Sequence, residues 1–199
     1  MVAIDLADAD AAAATIRAID DAVGGIDLLI ANAGAGPDPA HDPHSWEAVR
    51  GPATVNFAGT LATLTAVLPR MEQRRRGHLV GISSLSSLGA LPGAAAYAAP
   101  KAGLSMFLDC LRLDLRGTGV SVTTVYAGFV RTKMVEGATG PLPQLLDPSD
   151  AARRIWRRLP GRPARIDFPQ PLAWLARLAG ALPRPLHDAL VRLVVGKAG

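Results

Sequence analysis

Apolar residues in this chain concentrate in short runs, set between longer stretches where they recur every three or four positions. The short runs are "VAI" at 2–4, "IDLLIA" at 26–31, "HLVGIS" at 78–83, "VSVTTVY" at 120–126 and "ARIDF" at 164–168. Runs of this length predict buried strands. Between them the periodicity predicts helices over 9–23, 45–76, 96–116 and 149–159. Gly24-Gly25 should end the first helix, Gly51-Pro52 should kink or restart the second, and Gly117 and Gly119 follow the third. Buried strands alternating with helices imply right-handed crossovers and a parallel sheet covered on both faces. Ligands of such sheets sit at the carboxyl ends of the strands, so the loops starting at Asn32, Ser84 and Ala127 should carry the chemistry. The C-terminal stretch differs. Leu172, Leu175, Leu178 and Leu182 share one helix face. After Pro183 and Pro185, Leu186, Leu190 and Leu193 form another. These helices are expected to pack on the domain or on a partner. The expected organisation is a domain over 1–169 and a helical tail over 170–199.

Length and composition narrow the class. With 199 residues, 49% of them hydrophobic and 5% aromatic, the chain can bury one core built from Ala, Leu, Val and Ile. A single cysteine, Cys110, excludes an internal disulfide and is expected to fill the core from its apolar helical run. The N-terminus has no signal-peptide pattern, and no stretch supplies about twenty strongly apolar residues. A soluble, cytoplasmic protein is the expectation. The net charge of +4 is uneven: residues 151–199 hold ten Lys/Arg against two acids, and residues 1–150 hold eleven against fifteen. A basic tail can attract anionic lipid or nucleic acid. No nucleic-acid motif accompanies it, so a solvated arginine-rich surface is expected, with membrane contact the less favoured use. His41 and His44 read as surface residues, no metal site is expected, and "RRR" at 74–76 reads as a solvated helix end.

The candidate chemistry begins with "YAAPK" at 97–101. Tyr97 and Lys101 stand four apart and so share a helix face. Alone, the pair means little. Around it stand "ANAG" (31–34) after the second run, Asn56 inside the long helix, Ser84 at the end of the third run, and "AGFVRT" (127–132) after the fourth. Taken singly, Ser84 could cap a turn, Asn56 could be an ordinary helix residue, and Thr132 could cap the next segment. Together, in this order and spacing, the motifs resemble those of the short-chain dehydrogenase/reductase family. The resemblance runs from Val2 to about Phe168. The tail "IDFPQPLAWLARLAGALP" is similar to endings of some bacterial members.

The resemblance implies a three-layer, Rossmann-like, doubly wound α/β fold. It implies an oxidoreductase that interconverts a carbonyl and an alcohol with NAD or NADP. Tyr97 would move the proton and Ser84 would hold the carbonyl oxygen. Lys101, with a positive nicotinamide ring, would lower the phenol pKa and would hold the ribose. Asn56 would position a water behind Lys101. Asn32, Ala33 and Gly34 would face the cofactor, Gly128, Val130 and Thr132 would hold its carboxamide, and Asp5 would face its adenine. The loop 133–147 would line the substrate pocket, and its apolar content hints at a nonpolar or medium-sized substrate. The helices near 45–76 and 96–116 would build a homo-oligomer interface.

Two departures stand out. Ala127 replaces the family's usual Pro. More consequentially, the family's T-G-x-x-x-G-x-G loop is absent from these 199 residues. "VAIDLADAD" matches the family's third strand, so the first two βα units, which hold the cofactor's phosphates, are expected to be missing. In the family's strand order 3-2-1-4-5-6-7 that would leave "LLIA" an exposed apolar edge. Three explanations fit: a fragment or misplaced start, which is favoured; an inactive remnant acting through subunit association; or an edge covered by a partner chain.

Overall fold

The computed structural model describes residues 1–135 and 142–195. Four strands form one parallel sheet in the order β1 (Leu28–Ala31), β2 (Gly77–Ser84), β3 (Val120–Ala127) and β4 (Arg165–Phe168). The helices are α1 (Ala9–Ala22), α2 (Trp46–Ala53), α3 (Thr60–Arg74), α4 (Ala95–Asp114), α5 (Pro148–Arg158), α6 (Gln170–Ala181) and α7 (Arg184–Val195). Every strand of the sheet matches a run in the sequence, because a parallel strand is buried on both faces and is mostly apolar.

Side chains alternate between two cores. Leu79, Val120 and Val122 face one side, packed with Leu64, Val67 and Met71 of α3, Leu104 and Leu108 of α4, and Ile16 of α1. Val80, Val125, Ile166 and Phe168 face the other, against Ala151 of α5 and Leu159. The sheet is therefore doubly wound. The second face is covered near β3 and β4, while Ile30 on edge strand β1 is 39% exposed. The expected apolar edge is present.

Three expectations change. Val2–Ile4 is not a strand; among the described residues no strand lies beside it to take its backbone hydrogen bonds, and Ile4 instead packs on the first core. The α-helix continues through Gly51-Pro52 to Ala53, and the irregularity begins two residues after Pro52, as a π-helical turn over Thr54–Gly59. Pro52 removes the N–H that would bond the Ala48 carbonyl, and the ladder resets beyond it. Cys110 is exposed, because the buried stripe of α4 is Pro100, Lys101, Leu104, Ser105 and Leu108, and position 110 lies off that stripe.

Gly59 ends the π turn where the N-terminal segment crosses it. A methyl group there would sit 2.2 Å from the Leu6 carbonyl oxygen. Gly59→Ala should therefore lower stability by about 1–3 kcal/mol, read as a drop in the urea midpoint.

The tail packs differently from its leucine pattern. Ala173 is buried with Leu85 and Tyr126, and Leu172 and Ala176 lie against them, whereas Leu175, Leu178, Leu186 and Leu193 are exposed. Small Ala173 allows the close approach that bulky leucines would prevent. A buried carboxylate secures the joint. Asp167 on β4 pairs with Arg165 at 2.6 Å and with Arg177 of α6. Asp167→Ala leaves both guanidinium groups without this partner. Each is about one-third exposed, so the loss should be about 2 kcal/mol, below that of a fully buried pair. Thermal unfolding of the variant checks it.

No helix among the described residues is long and apolar enough to cross a membrane.

Candidate active site

The carboxyl ends of β1, β2 and β3 and the first turns of α4 meet at one end of the sheet. Tyr97 and Lys101 lie in the first two turns of α4, and the Lys101 Nζ stands 5.9 Å from the centre of the Tyr97 ring. Lys101 is 3% exposed, and its Nζ donates to the Ile82 carbonyl of β2 at 2.7 Å. Two serines fasten the same turn of α4 to the sheet. Ser83 Oγ donates to the Lys101 carbonyl at 3.0 Å and lies 2.7 Å from Ser105 Oγ, which donates to the same carbonyl at 2.9 Å. Ser84 caps the short 3₁₀ turn after β2 by accepting from the Ser86 N–H at 3.2 Å.

Asn56 is fully buried in the π turn and clamps the loop after β1. Its Oδ1 accepts from the Ala35 N–H at 2.7 Å, and its Nδ2 donates to the Ala35 carbonyl at 2.8 Å. A π turn holds one extra residue, which shifts the following positions by about 100° around the axis and lets the face carrying Asn56 meet the loop. Gly34 lies at the crossing point. A methyl group there would be 3.3 Å from Asn56 Oδ1 and 3.6 Å from Lys101 Nζ. Asn56, Lys101 and the Asn-Ala-Gly loop, predicted separately, come together.

Burial pushes the Tyr97 phenol above its ordinary value, while the neighbouring Ser84 hydroxyl works against that shift. The expected lowering needs the Lys101 ammonium together with a positive nicotinamide ring, and the protein groups alone do not supply it. In this chain the ammonium is directed at the Ile82 carbonyl, and desolvation dominates. Burial also lowers Lys101 from 10.5 to about 8. At neutral pH the pair is thus a neutral phenol beside an ammonium, which is a proton donor. The folded chain binds fewer protons at Lys101 than the unfolded chain between pH 8 and 10. This contribution therefore raises stability with pH across that window, by up to about 3 kcal/mol. Lys101→Met should flatten that slope in denaturant midpoints measured from pH 7 to 10.

The remaining predicted residues divide. Asn32 and Ala33 line a groove of about 300 Å³ along β1, with Ile4, Leu6, Ile30 and Thr60. Gly128 follows β3 and donates its N–H to the Phe168 carbonyl at 2.8 Å. Val130 is half-buried and bridges to Leu146, and Thr132 is exposed on the same loop. Asp5 is exposed, and its carboxylate accepts from the Ala7 N–H at 2.9 Å. Among the described residues no hydrogen bond or ion pair joins Asp5 to the Tyr97–Lys101 cluster. Met134 leans over the β1 loop, within 3.1 Å of a methyl group added to Gly36. Residues 136–141 of the expected substrate loop lie outside the described residues. Sequence reasoning missed Ser105, whose signal was a lone polar residue one turn beyond Lys101. No group of three or more His, Cys, Asp or Glu among the described residues could hold a metal.

Comparison with known proteins gives the family. A family model described as short chain dehydrogenase matches residues 1–140. An uncharacterized oxidoreductase of Myxococcus xanthus is 46% identical over 191 residues, covering 96% of this chain and 76% of that protein. Dehydrogenase/reductase SDR family member 7B of Rattus norvegicus is 35% identical over 134 residues, 67% of this chain but 41% of that protein. A short chain dehydrogenase from Burkholderia cenocepacia, solved in complex with NADP, superposes with a TM-score of 0.79 at 26% identity, covering 96% of this chain and 77% of that one. A Streptomyces avermitilis short-chain dehydrogenase superposes at 0.78 with 24% identity, a likeness of fold. The chain belongs to the short-chain dehydrogenase/reductase family of oxidoreductases.

Proposed function

We propose that this chain interconverts a carbonyl and an alcohol with NAD(H) or NADP(H), through a relay of Ser84, Tyr97, Lys101 and Asn56. The observation that carries the reading is the convergence of Asn56 Oδ1 and Lys101 Nζ beside exposed Gly34, one turn of helix from Tyr97. The absence of a side chain at Gly34 leaves room for a flat ring and its ribose within reach of Lys101. These residues fit the nicotinamide half of the cofactor, and the NADP-bound relative supports that choice. The bound cofactor supplies or accepts the hydride.

This chain's residues do the rest. In reduction, the Ser84 hydroxyl orients the carbonyl oxygen. The Tyr97 hydroxyl donates its proton to that oxygen as negative charge develops there. Lys101, an ammonium at neutral pH, stabilises the resulting phenolate and holds ribose hydroxyls. Asn56 fixes the loop carrying Gly34 and, through the π turn, stands between Lys101 and the α3 side, where a water can return the proton. Gly128, Val130 and Thr132 would meet the carboxamide. Asp5, Asn32 and Ala33 would lie along the adenosine side, where the apolar groove beside β1 suits an adenine face.

Met134 over the β1 loop gives that side an apolar wall, which suits a nonpolar or medium-sized carbonyl compound. Trp46 and Met106, each 66% exposed on α2 and α4, suit a helix-to-helix contact with a second copy. Turnover of a carbonyl panel with NADH and NADPH tests the reading. Oxidation of neither cofactor with any carbonyl would sink it.

A further inference from the structure

The opposite end of the sheet carries a second feature that the dehydrogenase reading does not use. An open cleft of about 640 Å³ lies at the amino ends of β2 and β3. Four arginines line it: Arg75 after α3, Arg112 and Arg116 at the end of α4, and Arg162 before β4. Gly117, Gly119 and Ser121 complete its polar wall, and no carboxylate among the described residues lines it. Among the described residues none of the four arginines forms an ion pair, and Asp109 and Asp114, nearby on α4, pair with none of them. The Arg112 Nε is buried without a hydrogen-bond partner. The Arg75 guanidinium spans the cleft mouth to the Gly117 carbonyl at 2.9 Å.

Like charges collect at one place against their mutual repulsion, so something has to favour the arrangement. The backbone gives the same indication. Arg75 has φ of 52° and Arg162 φ of 45°, the left-handed conformation that glycine fills most readily after a helix. Arginine at both positions keeps a guanidinium in the cleft despite that strain. Gly119 permits it: a methyl group there would lie 2.0 Å from the Arg75 carbonyl oxygen. The charge of Arg162 also reaches the buried His78 at the start of β2, adding to the effect of burial in lowering its pKa.

We propose that this cleft binds an anion bearing a diphosphate group. Planar guanidinium forks match phosphate oxygens bidentately, and four unpaired cations ask for more charge than one phosphate carries. The volume admits a nucleotide-sized ligand or a multiply phosphorylated headgroup. Strand β2 spans seven residue steps between Gly77 and Ser84, so the cleft lies about 23 Å from the Ser84 end. Binding here is separate from the carbonyl chemistry and does not depend on it.

Calorimetry of the full chain at 150 mM salt, with sodium pyrophosphate, sodium phosphate and sodium sulfate, tests the site. Pyrophosphate should bind at least tenfold more tightly than either other anion. The double variant Arg112→Gln/Arg162→Gly should lose at least tenfold of that affinity. Because glycine relieves the strain at position 162, Arg162→Gly alone should keep or raise the melting temperature while still weakening pyrophosphate. Sedimentation with phosphatidylcholine vesicles containing 5% phosphatidylinositol bisphosphate separates the sources. Co-sedimentation that free pyrophosphate competes away identifies a headgroup, and its absence alongside calorimetric binding identifies a free ligand. Equal affinity for pyrophosphate and sulfate, or unchanged pyrophosphate binding in the double variant, overturns the proposal. So does vesicle binding that pyrophosphate does not displace.

Discussion

Tyr97→Phe should reduce kcat for carbonyl reduction by about a thousandfold, within the range that a positioned general acid supplies. The substitution removes one oxygen and keeps the ring. The packing of α4 against β2 rests on Leu104, Leu108 and the Ser83–Ser105 pair, all untouched, so the melting temperature should stay near that of the parent chain. Cofactor affinity should also hold, because Lys101 and Gly34 remain in place. The phenol is raised above its usual value by burial and is neutral at physiological pH. It is therefore ready to donate a proton without a prior step, and reduction should be the faster direction near neutrality. A Tyr97→Phe variant that turns over at the parent rate would place the proton donor elsewhere.

Lys101→Met should cost nearly as much, about a hundredfold in kcat, together with weaker cofactor binding that the Tyr97 variant does not show. The ammonium next to the phenol stabilises the phenolate left after proton transfer, and methionine keeps the buried volume but not the charge. The parent enzyme's own profile carries the same information. Lys101 titrates at about 8, so reduction should fall as pH rises past that value and the site loses its cation. Lys101→Met should show a low rate with no such limb. A variant that loses cofactor binding but keeps the limb would assign the pH dependence to another group.

Much of this architecture was legible in the sequence because parallel strands leave an unmistakable trace. "HLVGIS" and "VSVTTVY" are buried on both faces, so they are rich in apolar and β-branched residues with only small polar groups and one His among them, and the structure places strands there. The site was legible for another reason. Tyr97 and Lys101 are four apart on a helix, and Ser84 ends a strand, so local spacing alone sets their placement. Features that depend on distant partners were not legible. Val2–Ile4 has strand composition but, among the described residues, no strand to pair with. The π turn around Asn56 follows from how the ladder resets beyond Pro52, which no periodicity encodes. Asp167 was one of two acids in the basic stretch 151–199; only folding shows it holding Arg165 and Arg177 together. The upward push of burial on the phenol was not legible either, because charge proximity can be read from spacing, whereas desolvation depends on everything packed around the ring.

The most direct test of the account follows the hydride itself. The full chain is incubated with a carbonyl substrate and NADH or NADPH carrying deuterium at the transferable nicotinamide position, and the product is read by mass spectrometry and NMR. The account predicts an alcohol with one deuterium on the former carbonyl carbon, formed in step with cofactor oxidation and almost absent with Tyr97→Phe. An alcohol without the label, or labelled alcohol formed equally by the Tyr97 variant, would contradict it.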